Sequence, residues 1–343
     1  MLRSLVAPPH VMVIANDRGN GSSAAEEETF TLRRNLSREK LEEALNEKNF
    51  VWIDAVDVDE DEISWLEATL SLHPVVVGDI KREDRRPTLR TYPDYVFLSL
   101  FQPNVKNTAI QGDEVHVLIG ENWLLTVRKE TSTSVSGAYD RAAANTDYWY
   151  RGISYLLYMV IQSVVDSYYP LLDRVSNQLN SLEEKAMNDG DKVLQKSVFR
   201  IKQQLINLRQ MVAPQREVIS NMIGEERVAA SPDDRDLFRH LYERLLRVYD
   251  VIDAQRDLAS NVLDLLESQD GAKLAKAVGR LTVLSMIFLP PTFLVGLFGL
   301  NFVTTAPEFE IPMSGAALFM FIVVATLLIS AGIAWFFKRQ GWL

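Results

Sequence analysis

The stretches LTVLSMIFLPPTFLVGLFGL, Leu281–Leu300, and MSGAALFMFIVVATLLISAGIAWFF, Met313–Phe337, decide the architecture of this chain. A helix rises ~1.5 Å per residue and a bilayer core is ~30 Å thick, so each run is long enough to cross. An integral membrane protein with two spans is expected. Lys338 and Arg339 close the second span, whereas the loop from Asn301 to Pro312 contains no Lys or Arg. The basic-residue bias therefore places the loop outside and the C-terminus inside, and with two spans the large N-terminal part is inside as well. The expected location is the inner (plasma) membrane, with both termini cytoplasmic. No apolar run of signal-peptide type follows Met1, so a cleaved leader is not expected.

The formal charge is −10, from 36 basic and 46 acidic residues. Residues 281–343 hold only Lys338, Arg339, Glu308 and Glu310, which cancel, so the excess acid sits in residues 1–280. An acidic cytoplasmic surface argues against nucleic acid or anionic lipid as the main partner and suits cations. Cysteine is absent, which removes disulfides and the soft thiolates that structural zinc sites favour. His10, His73, His116 and His240 form no local ligand pattern. There is no HExxH, GxSxG or Walker loop, and GNGSS lacks the lysine of a phosphate cradle, so the chain is not read as an enzyme and no cofactor is expected.

Residues 1–48 form an N-terminal segment in which 17–28, DRGNGSSAAEEE, reads as a solvated loop. Residues 49–147 read as a mixed α/β domain. Val51–Ile53, Tyr95–Leu100, Val115–Ile119 and Trp123–Val127 are β-rich, and Ile63, Leu66 and Leu70 recur at helical spacing. Residues 148–232 read as a helical hairpin, about 150–187 and 191–227, with Pro214 expected to kink the second helix or restart it. From about Asp233 one helix is expected through a stalk, 233–280, into the first span, 281–300, followed by an outer loop, 301–312, the second span, 313–337, and a basic tail, 338–343. A helix so long cannot bury its surface alone and is expected to bundle with copies of itself.

On the first span Val278, Leu281, Ser285, Leu289, Thr292, Gly296 and Gly299 step by three or four and share a face. Phe288, Phe293 and Phe298 are assigned to the opposite side. The stripe admits two accounts: close packing of small residues between helices, or a pore in which Leu281 and Leu289 close by dewetting and Thr292 is a polar step. Pro290-Pro291 removes backbone hydrogen bonds that neighbouring helices or a hydrated lumen must replace. Neither span contains Asp, Glu, Lys, Arg or His before Lys338, so a proton relay within the membrane has no carrier. At the mouth of an oligomeric bundle, Asn301 after Gly299-Leu300 becomes a ring of amide oxygens. Such a ring suits hydrated hard cations, because Mg2+ gives up its waters reluctantly. Glu308 and Glu310 would raise the local cation concentration, and Lys338 and Arg339 would form a basic ring inside. Asp250, Asp253, Asp257 and Asp264 lie along the long helix, either as a solvated face or, where copies converge, as a divalent-ion sensor.

Gly299-Leu300-Asn301 after Phe288-Leu289-Pro290-Pro291-Thr292-Phe293, with a short acidic outer loop and Lys338-Arg339 at the end, resembles the CorA superfamily of divalent cation channels. Trp52-Ile53-Asp54, Trp65-Leu66-Glu67, Leu72-His73-Pro74, Arg86-Pro87-Thr88-Leu89, Tyr95-Val96-Phe97, Tyr168-Tyr169-Pro170, Leu208-Arg209 and Pro214-Gln215-Arg216-Glu217 follow in the family's order, so the resemblance covers about residues 50–343. It implies a homopentamer with a funnel-shaped cytoplasmic α/β/α domain, a stalk helix continuous with the first of two spans, and a pore lined by that span. It implies Asn301, with Gly299 and Leu300, as the selectivity ring, and Val278, Leu281, Leu289 and Thr292 as pore-facing.

Leu300 stands where magnesium-transporting relatives typically have Met. The outer loop Thr304–Glu310 keeps a proline and acids as in the magnesium branch, while Ala213–Arg216 and Gly341–Leu343 are closer to the zinc branch. The reading leans to Mg2+, with Co2+ or Ni2+ as passengers and Mg2+ as a regulatory ion as well. The alternatives are a proton-coupled Zn2+ transporter and a non-conducting membrane sensor or scaffold.

Overall fold

The structure, a computed structural model, describes residues 1–9, 30–82, 86–106, 109–188, 192–299 and 314–340. It divides into two compact units, one holding residues 1–263 apart from 189–191, the other continuing from Asp264.

The first unit is built on a seven-stranded sheet ordered β2-β1-β3-β7-β6-β5-β4. The strands are β1 (Leu2–Ala7), β2 (Arg33–Arg34), β3 (Phe50–Val56), β4 (Thr88–Thr91), β5 (Val96–Lys106), β6 (Ala109–Ile119) and β7 (Trp123–Arg128). Only β3 and β7 run parallel; the other neighbours are antiparallel. Phe50–Ala55 are all buried, as a central strand covered on both faces requires. On one face α1 (Arg38–Asn46), α2 (Glu60–Leu70) and α3 (Pro74–Lys81) set Leu41, Ile63, Leu66 and Val76 against Ile53, Phe97, Leu118 and Leu125. On the other face lie α4 (Thr133–Ala144) and, after a 3-10 turn, α5 (Ile153–Asp166), which packs across β5, β6 and β7. Three layers, α/β/α, result.

Most of the family-order motifs prove to be joints of this unit. Asp54 on β3 is fully buried and takes a bidentate pair from Arg128 on β7, with Nε to Oδ1 at 3.1 Å and Nη2 to Oδ2 at 2.9 Å. Arg3 on β1 and the Thr126 hydroxyl complete its shell. His73 caps α3, its Nδ1 accepting from the Val75 amide at 3.2 Å, and Pro74 takes the first helical position. Asp113 on β6 is buried, which alone would raise its pKa. Hydrogen bonds from Thr131, Lys106 and Asn104 outweigh that and hold it below the ordinary carboxylate value.

Two helices follow, α6 (Tyr168–Asn188) and α7 (Lys192–Ile223), and they pack on each other. Strand β4 covers β5 only as far as Ser99, so the next outward-facing backbone pair, at Phe101, lacks a strand partner on that side. Side chains supply one. Gln215 Oε1 accepts from Phe101 N–H at 3.1 Å, and the Tyr168 hydroxyl donates to Phe101 O at 2.8 Å. Gln215 Nε2 in turn donates to the Tyr168 oxygen at 2.8 Å, so both backbone groups of Phe101 are satisfied at this edge. Gly112 permits the approach of α7: a Cβ there would stand 2.8 Å from both Met211 Sδ and the Phe101 ring.

Three sequence expectations differ in detail. The sheet takes in β1 and β2, and α1 packs on it, all before the boundary drawn at residue 49. The first hairpin helix is divided at Ser167 into α5 and α6, with Pro170 in the opening turn of α6, where a missing amide costs nothing. Of the two expectations for Pro214, a kink or a restart, the restart does not occur: helix α7 is continuous through it.

A single helix, α8 (Pro232–Gly299), runs through Gly271, Gly279, Pro290 and Pro291. In the second unit its distal part is accompanied by α9 (Gly315–Arg339), capped by Ser314 Oγ, which accepts from the Ala317 amide at 3.3 Å. Both helices carry stretches long and apolar enough to cross a membrane, with mean hydropathies of 1.6 and 2.6.

Candidate functional site

Contact with α9 defines the two sides of α8 in the second unit. Val283 is 1% exposed, and Ile287, Pro290 and Leu294 are half-buried, which at about 100° per residue places all four within a narrow arc. Leu281, Ser285, Thr292 and Gly296 are exposed and centre on the opposite side of the same helix. Leu289, 71% exposed, stands at the margin of that side, where with Met286 and Pro290 it borders a groove of about 410 Å3 shared with Gly332, Ile333 and Phe336 of α9. Val278, one turn earlier, is exposed too. The face carrying Leu281, Ser285, Thr292 and Gly296 thus points away from the helix that packs on α8. Phe288 and Phe293, placed opposite the stripe by the sequence reading, lie instead on its flanks and are exposed. Apolar side chains exposed on this scale need lipid or further helices as cover.

Pro290 and Pro291 leave the carbonyls of Met286 and Ile287 without their intrahelical donors. Ser330 on α9 donates to the Ile287 oxygen at 3.4 Å, a long bond that compensates one of the two. Sequence reasoning required a neighbouring helix or a hydrated lumen to do this and did not identify Ser330, because a serine in an apolar span reads equally as a small packing residue. Thr292 Oγ donates to Phe288 O at 2.8 Å, so its hydroxyl proton is engaged within the helix and its oxygen is left as an acceptor. An acceptor suits a cation that arrives with water donors around it.

Leu300, Asn301, Glu308 and Glu310 lie outside the described residues; Gly299 is the last described position of α8. Lys338 and Arg339 fall in the last turn of α9, with the Arg339 guanidinium 5.5 Å from the Trp335 ring, an amphipathic pair of the kind that anchors at a membrane surface. Of the four candidate sensor acids on α8, Asp253 is held by Arg209 Nε at 2.9 Å and by Arg256 at 3.2 Å, and Asp257 by Arg256 at 2.9 Å. Among the described residues no group of three or more His, Cys, Asp or Glu side chains is placed to hold a metal ion within one chain.

The profile described as "CorA-like Mg2+ transporter protein" matches residues 47–339. The cobalt/magnesium transport protein CorA of Thermotoga maritima is 26% identical over 79% of this chain and 77% of its own length. The zinc transport protein ZntB of Yersinia enterocolitica is also 26% identical, over 85% of this chain and 88% of its own. Among solved structures, the complete CorA magnesium transporter from Methanocaldococcus jannaschii superposes with a TM-score of 0.76 at 19% identity, covering 100% of this chain and 99% of that one, which establishes a shared fold.

Proposed function

The chain belongs to the CorA-like Mg2+ transporter family, and from that premise we propose that it conducts divalent cations through a membrane pore built by several copies of itself, five by the family resemblance. The observation that carries the reading is the position of the stripe. Leu281, Ser285, Thr292 and Gly296 face away from α9, so the side with small, hydroxylic and aliphatic residues is free to meet the same side of other copies. Hydrated ions would pass Asn301 first, pause at the Thr292 oxygens, and cross the Leu289 and Leu281 constrictions when these are wetted. Basic residues at the end of α9 favour cytoplasmic termini.

Mg2+ is the preferred ion in this reading. The outer loop supplies Glu308 and Glu310, hard oxygen groups, and the chain has no cysteine. Equal identity to the zinc transporter keeps a Zn2+ reading as the competitor. Purified protein in proteoliposomes with trapped Mg2+- and Zn2+-sensitive dyes separates the two. Mg2+ entry that follows its own gradient and ignores an imposed pH gradient is expected. Zn2+ entry that rises with the proton gradient would replace this reading by the competitor, and no flux of either ion would overturn both.

A further inference from the structure

Helix α7 carries six basic side chains and one acidic in a chain whose net charge is −10. Part of that charge rims a groove of about 950 Å3 between α6, α7 and the tip of the β5–β6 hairpin. Its floor is apolar, with Val105, Val175 and Ile201, and its rim holds Arg174, Lys185 and Arg200 against one acid, Asp173. The three basic side chains are exposed, and among the described residues none of them forms an ion pair. An apolar floor with a cationic rim is the form that accepts an amphipathic acidic helix.

Such a helix face exists in the chain itself. On α8, Asp250, Ala254, Asp257 and Asn261 are exposed at spacings of four, three and four, and Asp264 continues the stripe in sequence. The same helix turns Val248, Ile252, Ala259 and Val262 into its own core, so the acidic stripe points away from its own α6 and α7. Only another copy can bring it to a groove.

The levels agree. Arg209 meets Asp253 and Arg216 meets Tyr249, so α7 runs antiparallel to α8. Arg200, nine residues before Arg209, is therefore level with about residue 262 of α8. Gln255 Nε2 donates to Leu172 O and Tyr169 donates to Arg244 O, so α6 runs parallel to α8, and Gln178, in the groove wall, is level with about residues 253 to 261. In a ring of copies about an axis along α8, equal levels meet.

We propose that the α6–α7 groove of one copy receives the Asp257–Asn261 face of α8 from its neighbour, so that Asp257, which within its own copy pairs with Arg256 of the same helix, is answered across the contact by Arg174, Lys185 and Arg200 rather than by a metal ion. Groove and stripe are different patches, so the contact is heterologous and repeats around a ring. The inference rests on the reading of a pore made from copies and specifies how neighbouring copies join.

Because the chain has no cysteine, full-length Gln178→Cys/Asn261→Cys in membranes, treated with a short bis-maleimide in the presence of a chelator, reports the contact directly. A ladder of multiples of the 38.9 kDa chain is expected, absent from either single variant. Adding Arg200→Glu should reduce the linked fraction several-fold, and adding Asp257→Arg to that should restore it. An oligomer of unchanged size by native mass measurement without a ladder would overturn this contact while leaving the pore reading intact. A monomer would overturn both.

Discussion

Replacing Asn301 with alanine is expected to reduce Mg2+ uptake in proteoliposomes to the level of empty vesicles, with the size of the oligomer unchanged. The argument is energetic. Water bound to a divalent cation is a polarised donor, and a hydrogen bond to a charged group contributes about 1.5–3 kcal/mol. Each copy supplies one amide, so loss of only two such bonds is at least about 3 kcal/mol, more than about 100-fold in occupancy of the entry site. In the proposed pore Leu281 and Leu289 would add an apolar barrier, so an ion not held at the mouth would have little residence time in which to find the constriction open. Asn301→Gln keeps an amide but moves it outward by a methylene, and an intermediate rate is expected. Uptake by Asn301→Ala equal to wild type would remove Asn301 from the path.

The second large effect is on stability. Asp54→Leu is expected to cost about 3–5 kcal/mol, because removing one partner of a buried ion pair leaves the other charge uncompensated. Asp54 is fully buried, the Arg128 side chain is 3% exposed, and Arg3 and Thr126 also donate to the carboxylate. A domain stable by about 5–15 kcal/mol loses much of its margin to such a change. Chemical denaturation of the full-length protein, followed by tryptophan fluorescence, reads the change; Trp52, whose indole donates to Thr126 at 3.2 Å, reports from the site itself. A loss below about 1 kcal/mol would mean that water reaches the pair, since exposed pairs contribute only that much.

What was legible in the sequence follows a physical division. Spans and central strands were legible because burial on all sides writes itself as an uninterrupted apolar run, as in Val51–Ile53 and Leu281–Leu300. The shared face of Leu281, Ser285, Thr292 and Gly296 was legible because helical periodicity is local. Strand β1, LRSLVA, was not: it is short, precedes Pro8 and Pro9, and pairs with β3 across the whole of residues 8–49. The break at Ser167 carried no glycine, and Pro170 stands in the opening turn of a new helix, where it breaks nothing. Gln215 was visible as part of a motif, but its partner Phe101 lies 114 residues away, and no local pattern announces that a helix side chain will finish the edge of a sheet. The four α8 acids share a direction in sequence, yet two of them are neutralised by Arg209 and Arg256, one of which belongs to another helix.

The central claim is that water and ions meet the side of α8 turned away from α9. Single cysteines placed in the cysteine-free chain at Ser285, Leu289, Thr292 and Gly296, and for contrast at Val283, Ile287 and Leu294, should be offered a membrane-impermeant thiol reagent during Mg2+ uptake. The account predicts that the first set reacts and loses uptake while the second set is untouched. Reaction at Val283, Ile287 and Leu294 instead, or no difference between the sides, would contradict it.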